Sequence, residues 1–147
     1  MPEVTVGVLS ALDRSSYLSI CRLLPQLTAA ADEPTFGEFA ALVDIAGTHL
    51  IIARGGDEVV GMLTLVVVRL PSARVAHIED VVVDERSRGR GIGSRLIQAA
   101  LALAAEAGAQ HVDLTSRPTR VEANRLYTSL GFEARETNVY RYAIPAS

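Results

Sequence analysis

The chain has 147 residues, 49% of them hydrophobic, and a formal net charge of −3 at pH 7. This predicts one domain over residues 1–147 with a buried core, and excludes a disordered chain. The acidic balance argues against a nucleic-acid binder, and no apolar run approaches the roughly 18 residues of a membrane span.

The elements read as follows in chain order. The alternating run "EVTVGVL" predicts a first strand. "SALDRSSYLSICRLLPQL" has helical spacing, with Ser10 as the expected cap and Pro25 disturbing the end. "ADEPTFGEFAALVDIAG" predicts a second helix that starts at Pro34 or Thr35 and stops at Gly47. Two β-rich runs around "GGD" predict a hairpin. "RVAHIEDVVVDE" predicts a strand buried on both faces at Val81–Val83. A long Ala/Leu-rich helix follows and ends at Gly108, and "AQHVDLTSR" predicts a strand of parallel character. "TRVEANRLYTSLG" predicts a short helix ending at Gly131, and "FEARETNVYRYAI" a final pair of strands. The sum is a mixed sheet flanked by helices, in an α/β or α+β arrangement.

The chemistry concentrates in "ERSRGRGIG", Glu85 to Gly93, between a strand and a helix. Gly89, Gly91 and Gly93 permit positive φ and close backbone approach, and Arg86, Arg88 and Arg90 add charge. Amide groups at a helix start converge on anions, so a phosphate ligand is expected. No Gly-Lys-Ser/Thr follows, and the glycine spacing is G-x-G-x-G rather than G-x-G-x-x-G. Nucleotide P-loop and dinucleotide readings therefore fail. The 14 cationic residues are all arginine, each suited to forked phosphate binding. The single Cys21 cannot form an internal disulfide, and no Cys/His pair has metal-ligand spacing, so no metal is expected. With no secretory signal pattern at the start, a reducing cytoplasm is the expected compartment.

The segment Arg88-Gly89-Arg90-Gly91-Ile92-Gly93 resembles the (Gln/Arg)-x-x-Gly-x-(Gly/Ala) motif of the GNAT superfamily of acetyl-CoA-dependent N-acetyltransferases. "HIEDVVVDE" precedes it at the family spacing, and "EANRLYTSLGFE" resembles the family's Asn-x-x-(Leu)-Tyr-x-x-x-Gly-Phe segment. The resemblance covers essentially the whole chain. It implies a mostly antiparallel central sheet of about seven strands with about four helices, splayed between the strands at 75–84 and 110–115. It also implies that the anion is the pyrophosphate of coenzyme A, held by backbone amides of Arg88, Gly89, Arg90, Gly91, Ile92, Gly93 and Ser94. Backbone groups of the Val81, Val82, Val83 stretch would pair with the pantetheine arm and hold the oxyanion. Asn124 would bond the pantetheine or pyrophosphate arm, and Tyr127 would be the acid that protonates the thiolate.

Amine acetylation also needs a group to accept the amine proton. "HIEDVVV" resembles the corresponding strand of glucosamine-6-phosphate N-acetyltransferases, which implies Glu79 as the base, with His77 two residues earlier as the alternative. A water chain without a dedicated base is a third option. Glu79 and Asp80 are adjacent on a strand, so a regular pleat sends them to opposite faces, and Asp80 reads as a structural acceptor or orienting group. Gly131-Phe132 reads as a helix stop and core anchor. Cys21, in an early amphipathic helix, reads as packing rather than a ping-pong nucleophile.

The resemblance implies that residues 10–47 and 133–143 hold acceptor specificity, with Tyr140 or Tyr142 lining the pocket. Residues 1–60 hold eight acids against three arginines, which points to a cationic amine. The amino-sugar-phosphate resemblance points instead to Arg117 or Arg120 meeting a substrate phosphate. The family's use of its last strand implies a homodimer. The competing reading keeps the fold and drops catalysis, giving a regulatory module that binds acetyl-CoA or another nucleotide. Its expected mark is a lost Tyr or a broken glycine motif, and this chain has neither.

Overall fold

A computed structural model describes residues 3–29 and 32–146. The chain divides into two compact units, residues 1–115 and 116–147. The first carries the sheet. Strands β1 (Val4–Val8), β2 (Thr48–Gly55), β3 (Glu58–Arg69), β4 (Arg74–Val83) and β5 (Val112–Asp113) lie in chain order, antiparallel up to β4, with β5 parallel to β4.

Helix α1 (Arg14–Leu27) begins at Asp13, whose carboxylate accepts from the Ser16 N–H at 2.7 Å. The cap is thus Asp13 and not Ser10, because only Asp13 sits three residues before an orphan amide of this helix. Pro25 lies inside the last turn, and the helix stops two residues on. Helix α2 (Phe36–Val43) starts with a reciprocal capping box between Thr35 and Glu38. The Ala31 end of the expected second helix lies outside the described residues. Gly47, at φ +87°, turns the chain into β2; a Cβ there would stand 2.8 Å from the Val67 carbonyl oxygen. Helix α3 (Ile92–Glu106) ends at Ala107, and the turn continues through Gly108 at φ +82°.

The sheet is covered on both faces. Leu9, Ile20, Leu23, Phe39, Leu50, Ile52, Met62 and Val82 form one buried cluster with α1 and α2. On the other face Gly61 meets α3, with Leu96 and Ile92 3.2 and 3.3 Å from where a Cβ would stand. Leu96, Ile97 and Ala100 of α3 are fully buried. Each such aliphatic side chain contributes about 1.5–3 kcal/mol on burial, alanine less.

The second unit holds helix α4 (Val121–Ser129) and the chain that follows. Here the sequence expectation is corrected. Among the described residues the sheet has five strands and not about seven, because residues 132–146 form no ladder. Their alternating apolar pattern supplies strand propensity but no pairing partner. Val139, Tyr140, Tyr142 and Ile144 stay 75–87% exposed.

Candidate active site

Strand β4 leaves the sheet at Val83, and the Asp84 N–H still donates to the Val60 carbonyl at 2.8 Å. Glu85–Ser87 form one 3₁₀ turn capped by Asp84. Gly89 and Gly91 then take left-handed conformations, φ +79° and +74°, and α3 starts with Gly91 as a cap that has no side chain to offer. Side-chain-bearing residues resist that region by roughly 1–2 kcal/mol. No atom lies within 4 Å of where a Cβ would stand on either glycine, so backbone handedness, not crowding, selects glycine and the space above stays open. The first amides of α3 have no intrahelical acceptor, and the helix dipole adds about half a positive charge. An uncapped helix start under open glycine backbone fits a phosphate group. The arginines are less uniform than the sequence suggests. Arg86 is paired with Asp84 at 3.0 Å, and Arg88 Nε donates to the Val83 carbonyl at 3.1 Å.

The strand before this turn is bulged. Met62 pairs with Val82 and Thr64 with Glu79, so Leu63 alone faces Asp80 and Val81. Asp80 takes φ +53°, the one non-glycine residue with positive φ among those described. The regular pleat is therefore interrupted at Asp80. Both are exposed. The strand pair β4–β5 also parts early. It is joined at Ala76–Val112 and His77–Asp113, whereas β4 runs on to Val83, so the edge of 78–83 has no β5 partner.

Cross-strand partners share a face. Ile52, Met62 and Val82 form a row beneath α1 and α2. Leu50, Thr64 and Glu79 form the next, and Thr48, Val66 and His77 the one after. Glu79 and His77 thus lie on the α1/α2 face but are exposed, with half-buried Thr64 directly opposite Glu79. Sequence reasoning did not single out Thr64, because its neighbour is fixed only by register. Val81 and Val83 are half-buried and Val82 buried.

In the second unit, α4 ends in a tight reciprocal motif. The Phe132 N–H donates to the Tyr127 carbonyl at 3.0 Å and the Gly131 N–H to Thr128 at 3.1 Å, with Gly131 at φ +101°. This is the Schellman arrangement, completed by apolar contact between its two ends. That contact is edge-to-face, with the Tyr127 and Phe132 ring centroids 5.9 Å apart at 63°. Tyr127 is buried. Asn124 is half-buried, and its amide nitrogen donates to the Arg117 carbonyl at 3.0 Å. Cys21 is half-buried, and burial, then a hydrogen bond with Glu33, pushes its thiol up. A thiol held protonated is a poor nucleophile.

An uncapped glycine turn after a bulged, half-freed strand has a form that can take a phosphate-bearing ligand. A profile of the family described as "Acetyltransferase (GNAT) family" matches residues 17–132, and the chain belongs to that family. It is an acetyl-CoA-dependent N-acetyltransferase. It is 35% identical over 125 residues to a probable glucosamine 6-phosphate N-acetyltransferase 2 of Oryza sativa subsp. japonica, covering 80% of this chain and 70% of that one. It is 34% identical over 122 residues to an aminoalkylphosphonate N-acetyltransferase of Salmonella typhimurium, covering 81% and 77%. The fold matches a crystal structure of an aminoglycoside acetyltransferase from an uncultured soil metagenomic sample, with TM-score 0.85, 22% identity and 97% of each chain covered.

Proposed function

We propose that the whole chain, residues 1–147, acts as one cytoplasmic transferase domain that acetylates a small primary amine by direct attack in a ternary complex. The observation that carries this reading is the sequence of bulge, freed strand edge and left-handed glycine turn from Asp80 to Gly91. Backbone amides from Arg88 to Ser94 hold the coenzyme pyrophosphate. The freed edge of Val81–Val83 takes the pantetheine arm, and one of its N–H groups holds the oxyanion. Asn124 supports the same arm.

Glu79, directly or through water, accepts the amine proton, with His77 as the alternative on the same face. The amine nitrogen bonds to the thioester carbon, and the C–S bond breaks with its electron pair left on sulfur. Tyr127 gives its proton to that thiolate. Acid–base groups of this kind contribute about 10²–10⁴-fold each.

We take the acceptor to be an amine that also carries a phosphate or phosphonate. The support is that the two relatives named above act on glucosamine 6-phosphate and on aminoalkylphosphonates. Arg117 and Arg120 are the candidates for that group. A thiol-release assay with glucosamine 6-phosphate, 2-aminoethylphosphonate, glucosamine and spermidine tests it. Turnover is expected with the phosphorylated or phosphonylated amines, and a preference for spermidine would reverse the assignment. The active form is a homodimer.

A further inference from the structure

The coenzyme turn is tied down at a point that neither the glycines nor the transfer chemistry explains. Asp84 is buried, 7% exposed, and caps the 3₁₀ turn. Its Oδ1 accepts from the Arg86 N–H at 3.1 Å and from Nε at 3.4 Å, and its Oδ2 accepts from Nη2 at 3.0 Å. The Ser87 N–H donates to the Asp84 carbonyl at 2.8 Å. From α1, Gln26 Oε1 accepts the Glu85 N–H at 2.9 Å. Three backbone amides in a row, those of Glu85, Arg86 and Ser87, are therefore all bound before the glycines begin.

From this geometry we infer that Asp84 and Gln26 are positioning residues for the donor: they hold the turn in its binding shape ahead of the ligand and take Arg86 out of the set of cations that meet the anion. This rests on reading the turn as the coenzyme site. A preformed turn spends no ordering entropy on binding, so the effect belongs in donor affinity and not in the chemical step. Asp84 also fits this role through its ionisation. The Arg86 guanidinium beside it holds the carboxyl below the usual carboxylate range, although burial works against this. The clamp is therefore fully present above the ordinary aspartate value and is released only as pH falls through the lowered one.

The test uses the full chain and coenzyme A as probe. Gln26→Met keeps the side-chain length and removes the hydrogen bond to the Glu85 amide. Its dissociation constant for coenzyme A, by calorimetry, should rise about 5-fold, and that of Asp84→Asn about 10-fold. The KM for acetyl-CoA should follow, with kcat at saturating donor and the acceptor KM within about two-fold of wild type. Gly91→Val serves as the control for the turn itself. If Gly91→Val binds coenzyme A weakly and Gln26→Met binds it as wild type does, the positioning role is wrong. Should Gly91→Val also bind normally, the coenzyme turn is elsewhere and the reading beneath it fails. A joint fall of kcat, both affinities and thermal stability in Gln26→Met would mark it as a merely structural residue. If Asp84→Asn does not fold, Gln26→Met alone decides.

Discussion

Residue by residue, the roles divide by whether side chain or backbone carries them. Gly91 is a backbone role, since it starts α3 at φ +74° with open space where a Cβ would stand. Gly91→Val puts a β-branched side chain into a conformation it resists by roughly 1–2 kcal/mol and fills the ligand's space. Coenzyme affinity, read by calorimetry, should fall about ten-fold or more, and further than in Arg90→Ala; the reverse order would return the anion to the arginines. Tyr127 is a side-chain role. Tyr127→Phe keeps the ring packing on Phe132 and removes only the hydroxyl, so kcat should drop about 10²-fold with coenzyme affinity unchanged. An unaltered kcat in the thiol-release assay would remove Tyr127 from the chemistry. The left-handed turns at Gly91 and Gly131 were legible because glycine spacing is local. Gln26 was not, because its partner amide lies 59 residues away and nothing in either stretch announces the other.

The four helices and β1–β4 were legible from capping residues and periodicity, since Thr35, the "GGD" turn and Gly108 each act on their own neighbours. The bulge in β4 was not derivable from the residues themselves. "HIEDVVV" reads as an unbroken strand, and only pairing with β3 shows two residues set against Leu63. Because Asp80 there takes φ +53°, its tolerance defines the element. Asn and Asp enter this region more readily than other residues, and glycine enters freely. Asp80→Gly and Asp80→Asn should stay within about 0.5 kcal/mol of wild type, whereas Asp80→Val should lose about 1–2 kcal/mol. Chemical denaturation measures both. A neutral Asp80→Val would mean that the strand relaxes to a regular pleat and that the bulge is dispensable.

At the scale of the whole molecule, the outstanding feature is the segment after Phe132. Its Val/Tyr alternation is as strand-like as that of β1, yet no described residue pairs with it, and strand pairing is decided by partners and not by propensity. Exposed large apolar side chains occur singly elsewhere, at 36–52%, but Val139, Tyr140, Tyr142 and Ile144 are 75–87% exposed within six residues. Clustered exposure of this kind marks an interaction surface, and a strand-prone segment outside any ladder is free to pair with a second chain. The proposed homodimer is therefore expected to form through residues 133–144. In a lone copy, Tyr140→Asp with Tyr142→Asp would change stability by no more than about 0.5 kcal/mol per site, because both rings already face water. In a dimer built on this segment the same pair should convert the protein to a monomer by light scattering at tens of micromolar and lower its melting temperature by several degrees. A double variant that remains dimeric would place the interface elsewhere, and a wild-type protein that elutes as a monomer would leave the segment as an unpaired tail.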